Sequence, residues 1–266
     1  MNKLVTIGLL FISLNCFGTA QSPDFLIYKG DTLALFSNPL ESLYKANPDG
    51  RPKTFFKKTF CSSTACWRGY IAYWEIIGGK IFLTNIRSCC FNSKETADLV
   101  EFFGDKAIEG KVFADWINEE LFSPTGERLQ YAHMGYASVF EKEIGFVVER
   151  GELIEVKNYD NSKSKFPEYY KDGKKLNQFI NSRLNRDLFK DKDNFSVLAK
   201  VKTDENGKIL KVTMEIGLGE PYDTEIIKVL NELGEWVVIY RHGKMIDWGQ
   251  LLTFEIDKRL MKKKHL

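Results

Sequence analysis

Residues 195–216 read FSVLAKVKTDENGKILKVTMEI, and this stretch decides the fold of the second half of the chain. Phe195, Val197, Ala199 and Val201 recur at every second position, the period of a half-buried strand. Asp204-Glu205-Asn206-Gly207 reads as a turn, because Asn and Gly tolerate the left-handed backbone that a reversal requires. Lys208 to Ile216 then returns, with Leu210, Val212, Met214 and Ile216 on one face. The stretch predicts an antiparallel hairpin with one apolar side. Upstream, Lys174 to Phe189 carries Leu176, Phe179, Ile180, Leu184 and Leu188 at helical spacing. Downstream, Tyr222 to Leu233 turns Ile226, Ile227, Leu230 and Leu233 inward and stops at Gly234. Trp236 to Tyr240 is expected as a strand and His242-Gly243-Lys244 as a turn. A closing strand near Trp248 to Ile256 places Trp248, Gln250, Leu252, Phe254 and Ile256 on one face. Helix, strand, strand, helix, strand, strand describes a small α+β unit with antiparallel pairing and its helices on one face.

The first half alternates in the manner of strands. Phe25 to Tyr28 and Thr32 to Phe36 flank Lys29-Gly30. Trp67 to Ile77 and Lys80 to Ile86 flank Gly78-Gly79, and Ser138 to Val148 and Glu152 to Asn158 flank Arg150-Gly151. Pro39 to Ala46 is a short helix behind Asn38, and Lys94 to Phe103 reads as a second. Lys111 to Phe122 alternates again, and Pro124-Thr125-Gly126 marks a turn. The expected layout is a β-rich domain over 21–158, a polar, lysine-rich linker over 159–173, and the α+β unit over 174–260. The whole chain is α+β.

Met1 to Ala20 has the form of a secretory signal, with Lys3, an apolar run from Leu4 to Phe17, and small residues ending at Ala20. That run is shorter than the roughly 20 residues a spanning helix needs, so no retained transmembrane segment is expected, and the location is periplasmic or secreted. Cys16 leaves with the signal. Cys61, Cys66, Cys89 and Cys90 remain, an even number in an oxidising compartment, and predict two disulfides joining Cys89 and Cys90 to Cys61 and Cys66 in some order. A zinc site of four thiolates is the sharper alternative, but a Cys-Cys doublet makes a poor knuckle. Across all 266 residues, 38 Lys and Arg against 36 Asp and Glu leave no basic footprint for nucleic acid.

The second half resembles the TonB C-terminal domain family over about residues 174–257. The landmarks are Val201 to Ile209 with its D-x-x-G-x-I turn, Val212, the helix Glu225-Ile226-Ile227-Lys228-Val229-Leu230, Glu235-Trp236, and Arg241-His242-Gly243-Lys244. A Tyr-Pro pair near Leu188 and a Pro near Leu251 are absent from this version. The resemblance implies an antiparallel sheet that captures an extended peptide of an envelope partner by strand addition, on Gln250, Leu251, Leu252, Thr253 and Phe254. Energy transduction would also require an uncleaved membrane helix and a Pro-rich spacer, and this sequence shows neither. Trp248, Leu252 and Phe254 are expected to be buried beneath the helix Tyr222–Leu233, with Gly249, Leu251 and Thr253 outward. The closing strand is expected to pair with Trp236–Tyr240.

Catalytic motifs are absent: there is no G-x-S-x-G, H-E-x-x-H or P-loop, and Gly217-Leu218-Gly219 lacks a third glycine. His133 with Asp115 is the one acid–base pairing worth testing against the structure, and the bland reading of His133 is a residue held within the cluster of Tyr131 and Tyr136. Trp67, Tyr70, Tyr73 and Trp74 suit either a groove floor or a core. No cofactor or metal is implied. The leading expectation is an exported, non-enzymatic binding protein. An exported hydrolase using the first domain, or a purely structural envelope protein, are the alternatives.

Overall fold

The computed structural model describes residues 19–57, 63–192 and 194–261. Residues 1–18 of the segment expected as a signal, Cys61 and the basic run Lys262–Lys264 lie outside the described residues. The chain enters the fold at once: the Gln21 N–H donates to Gly135 O (3.0 Å) and the Ser22 N–H to Ala65 O (2.7 Å).

The α+β class holds, and the first half is one mixed sheet. β1 (Asp24–Tyr28) and β2 (Asp31–Leu35) form the opening hairpin, followed by α1 (Pro39–Ala46). β3 (Tyr70–Ile77) and β4 (Lys80–Ser88) turn on Gly78 and Gly79, whose φ angles of +57° and +79° favour glycine. After α2 (Leu99–Phe103) come β5 (Ala107–Ile108), β6 (Lys111–Phe113), β7 (Glu119–Gln130), β8 (Val139–Glu149) and β9 (Glu152–Asp160). The sheet order is β2-β1-β3-β4-β9-β8-β7, with β1 and β3 parallel and β6 on β4. The sheet curls until its ends meet, where the Phe36 N–H reaches Phe122 O in β7 at 2.7 Å. Inside lie Leu26, Leu35, Trp74, Leu83, Ile86, Leu121 and Phe146, all fully buried, with Leu40 of α1 against them.

Two local expectations change. β7 runs straight through Pro124-Thr125-Gly126 instead of turning there. It is the edge strand, where a missing N–H costs no ladder bond, and a register shift between Thr125 and Arg128 absorbs Gly126. The helix expected from Lys94 begins only at Leu99. The Ser88 N–H is taken by Glu95 O and the Ala97 N–H by Ile86 O, which holds 95–97 along β4 until Asp98 caps α2.

A second core follows. α3 (Glu168–Lys171) and α4 (Gly173–Arg183) precede β10 (Phe195–Thr203) and β11 (Ile209–Ile216). α5 (Tyr222–Asn231), the two-residue strands β12 (Tyr240–Arg241) and β13 (Lys244–Met245), and β14 (Gln250–Ile256) complete it. The sheet order is β11-β10-β14, and Val197, Ala199, Val201, Val212, Leu252 and Phe254 face Leu176, Ile180, Ile226 and Leu230 of α4 and α5.

The closing strand pairs differently from expectation. β14 lies antiparallel to β10, from Phe195 opposite Ile256 to Val201 opposite Gln250, and not beside Trp236–Tyr240. That segment has already spent its backbone groups. The Trp236 N–H donates to Gly207 O (2.8 Å), and Val238 exchanges two hydrogen bonds with Lys165 (2.8 and 3.0 Å). Trp248 is 67% exposed rather than buried. Gly249 is buried rather than outward, because its φ of +86° breaks the alternation before β14 begins.

The segment 159–173, expected as a linker, is ordered structure that joins the two cores. Asn161 is fully buried, and its amide donates to Glu143 Oε2 (2.9 Å) while its Oδ1 accepts from the Gly243 N–H (3.0 Å). Tyr170 packs edge-on against Trp236 with ring centroids 5.7 Å apart. Opposite, the Arg241 guanidinium donates to three successive carbonyls, those of Tyr136, Ala137 and Ser138.

Candidate functional site

The residues singled out on the closing strand form one edge of the three-stranded sheet. The pairing to β10 is unbroken, so its polarity can be worked out residue by residue. Glu255 directs both of its backbone groups away from β10: its N–H donates to Asn177 Oδ1 (3.0 Å), and its C=O accepts from Asn181 Nδ2 (2.8 Å). In an antiparallel ladder inward and outward residues alternate. Leu251 and Thr253 therefore also point their N–H and C=O outward, while Gln250, Leu252, Phe254 and Ile256 bond to β10. Leu251 is 62% exposed and Thr253 is exposed beside it. Among the described residues, nothing bonds to their outward backbone groups.

The edge is closed at one end only. Asn181 Oδ1 accepts from the Asp257 N–H (2.8 Å), so two asparagines one helical turn apart act as a surrogate strand for residues 255 and 257. One turn nearer the start of α4 stands Gly173, which has no side chain to continue the pattern. Gln250 to Thr253 is left open. The opposite edge of the sheet, β11, differs: its register with β10 shifts twice, between Leu198 and Ala199 and between Lys202 and Thr203. Bulges of that kind twist an edge and spoil it as a template. β14 carries no such defence.

Asn177 and Asn181 were missed by pattern reading, although a signal exists. Asn favours caps and turns over helix interiors, yet two stand four residues apart beside the apolar stripe of Leu176 and Ile180.

Asp115 and His133 do not form a site. Asp115 precedes β7 and His133 follows it, and that strand is 12 residues long, on the order of 35 Å at a strand's rise. Both are exposed, and the contact recorded for His133 is the Tyr131 hydroxyl, 3.4 Å from Nδ1. Of the aromatic group, Tyr70 and Trp74 fill the core, and Tyr73 stacks on Phe25 with centroids 5.4 Å apart. Trp67 is 55% exposed and lines a surface cavity of about 280 Å³ with Arg51, Lys53 and Phe55.

Cys66 and Cys89 form a disulfide, and Cys90 is disulfide-bonded as well. Beside them sits a buried ion pair. The Arg68 and Asp24 side chains are both fully enclosed, 3.1 Å apart, and the Ala72 N–H and Trp74 Nε1 also donate to the carboxylate. Burial raises the Asp24 carboxyl to about 6, against the pull of Arg68 and those two donors. Glu143 behaves in the opposite way. Burial works against its charge, but the His242 ring, the Asn161 amide and the His242 N–H together lower it to about 2. These pairs brace the scaffold. Among the described residues no group of His, Cys, Asp and Glu is placed to hold a metal, and no helix is long and apolar enough to cross a membrane.

No protein-family model, curated protein or solved structure matches this chain.

Proposed function

We propose that this chain is an exported, non-enzymatic binding protein that takes an extended segment of an envelope partner onto the free edge of β14. The observation that carries the proposal is the pair of outward backbone units at Leu251 and Thr253, on an unbroken strand with no bulge or partner among the described residues. Strand addition uses such groups for affinity and alternate side chains for selectivity. The resemblance of residues 174–257 to the TonB C-terminal domain supports the same reading, since capture of an extended peptide is what that family does. A periplasmic or secreted location is part of the proposal, and the Cys66–Cys89 disulfide suits the oxidising compartment it requires.

Two outward residues supply up to four backbone hydrogen bonds, each worth about 0.5–1.5 kcal/mol net. The ordering of the guest opposes them. Binding is therefore expected to be weak and side-chain dependent. The test is amide hydrogen exchange of residues 248–256 with and without a synthetic decapeptide of alternating Val and Glu. Protection gained at Leu251 and Thr253 supports strand addition. Leu251→Pro removes one outward donor while sparing the bonds to β10, and should weaken that protection with the fold intact. Slow exchange at both amides in the free protein, unchanged by peptide, means the edge is already covered and the role is structural.

A further inference from the structure

The outer face of the three-stranded sheet, opposite α4 and α5, carries three lysines toward the Gln250 end of β14, with Glu255 on the same face at the other end. Register places Lys200 between Thr213 on β11 and Leu251 on β14, and sets Lys202 directly opposite Lys211. Like charges directly opposite on a sheet destabilise it. No ion pair relieves these three lysines among the described residues, and Lys202 and Lys211 are exposed. The Lys200 stem lies against Gly249, where an added Cβ would stand 3.1 Å from its Cγ. That contact holds the stem on the sheet beside the open part of the edge. Exposed apolar residues stand on or next to the same strands: Leu251, beside Lys200, is 62% exposed, Ile216 of β11 59%, and Trp248, just before Gly249, 67%.

We infer that the guest of the β14 edge is an acidic peptide, with Asp or Glu at the alternate positions that share the outer face with Leu251 and Lys200. This inference rests on the strand-addition reading and adds the chemistry of the partner. A guest strand lies about 5 Å beyond β14 and so about 10 Å from β10. An extended lysine reaches across Leu251 to a carboxylate on that guest. Lys200 is placed for the residue opposite Leu251, and Lys202 and Lys211 supply a field toward the Gln250 end. Charge also sets register. Residues 255 and 257 are closed by asparagines, so only the lysine end of the strand is open, and an acidic segment is drawn there. An anionic membrane is the competing occupant for a face of lysines with exposed Trp and Leu.

The experiment compares the Val/Glu decapeptide, a Val/Lys decapeptide and phosphatidylglycerol vesicles, read by amide exchange at Leu251 and Thr253 and by titration at low and high salt. The acidic peptide should bind roughly tenfold more tightly than the basic one at low salt, the yield of two or three exposed charge pairs. The preference should shrink as salt screens it. The variant Lys200→Glu/Lys202→Glu/Lys211→Glu should reverse it. Lys202→Glu alone, now opposite Lys211, should melt no lower than the parent, which separates lost binding from lost fold. Equal protection by both peptides, or a preference unchanged by charge reversal, overturns the acidic-guest inference and leaves strand addition standing. Protection by neither peptide overturns both. Vesicle binding that the triple variant abolishes, with no peptide effect at Leu251, assigns the face to lipid and overturns the inference.

Discussion

Replacing Asn181 by Ala tests whether α4 closes the far end of the β14 edge. Asn181 is fully buried and uses both ends of its amide. Nδ2 donates to Asn177 O (2.9 Å) and Glu255 O (2.8 Å), and Oδ1 accepts from the Asp257 N–H (2.8 Å). Truncation strands one backbone acceptor and one donor of the strand. A buried group left without a partner costs about 1–3 kcal/mol. Glu255 is exposed and recovers part of that from water, so the expected loss is about 2–4 kcal/mol. Asn177 makes a sharp control. Its Oδ1 accepts only the Glu255 N–H (3.0 Å), which water can replace, and Ala is the better helix former by roughly half a kcal/mol. Asn177→Ala should therefore stay within about 0.5 kcal/mol of the parent. Urea denaturation measures both, and amide exchange should show Asp257 opening in the first variant and Glu255 alone in the second. Asn177→Ala also lengthens the open edge by one outward N–H, so the acidic decapeptide should bind it a few-fold better. An Asn181→Ala protein within 1 kcal/mol of the parent, with Asp257 still protected, would refute the capping argument.

Asp24→Ala strips the enclosed Arg68 cation, the Ala72 N–H and the Trp74 Nε1 of their shared acceptor and should cost about 3–5 kcal/mol. A loss below 1 kcal/mol in a denaturant melt would mean that water reaches Arg68. The two shifted carboxyls predict opposite pH limbs. Glu143 stands near 2 in the fold against an ordinary value of 4.5, so its contribution is full above about pH 4.5 and is lost as pH falls toward 2. Asp24 stands near 6 against 3.8, so stability declines as pH rises from about 4 to 6. Stability curves across these ranges should flatten at the acid end in Glu143→Gln, and a Glu143→Gln curve that keeps its acid limb would contradict this. Trp248→Ala, at a site 67% exposed, should change stability by less than about 0.5 kcal/mol. Phe254→Ala, at 2% exposure, should cost about 3–5 kcal/mol.

Period and turn chemistry are local, and what they govern was legible. β10 spans Phe195 to Thr203 as its alternation requires, and the Gly78-Gly79 and Arg150-Gly151 turns fall where their residues put them. The inward set Leu252, Phe254 and Ile256 was also legible, because parity within a strand does not depend on the neighbour it pairs with. Parity failed one step earlier, at Trp248 and Gly249. A residue with positive φ is not in a strand, so counting by twos cannot cross it. Pairing is the non-local part. Trp236–Tyr240 is near β14 in sequence and has strand-like composition, but Gly207 and Lys165 had already taken its backbone. β10, some fifty residues away, was the strand left with a free side.

Segment 159–173 was misread for a related reason, and the error bears on how the edge is held. Polarity marks a solvated linker only when the polar groups face water. Here most of the charged side chains do face water, and it is Asn161, Ser164 and the Lys165 backbone that tie the segment to both cores. Asn161 joins Glu143 of β8 to the turn at Gly243, and Ser164 Oγ accepts the Tyr240 N–H at 2.9 Å. Lys165 bonds Val238 in both directions. Arg241 reaches back from β12 to the carbonyls of residues 136–138. The joint is made of directional hydrogen bonds from backbone, amide, hydroxyl, carboxylate and guanidinium groups, which tolerate little displacement before they break. It also occupies the strand-like segment 236–241, which the sequence pattern pairs with β14 as a hairpin. The joint between the cores and the vacancy beside β14 thus have a common origin. A substitution that frees the joint, such as Arg241→Ala, should let residues 236–241 compete for the β14 edge. Slower exchange at Leu251 and weaker binding of the acidic decapeptide in Arg241→Ala would reveal that competition. Unchanged exchange and unchanged binding would show that the vacancy is held by the second core alone.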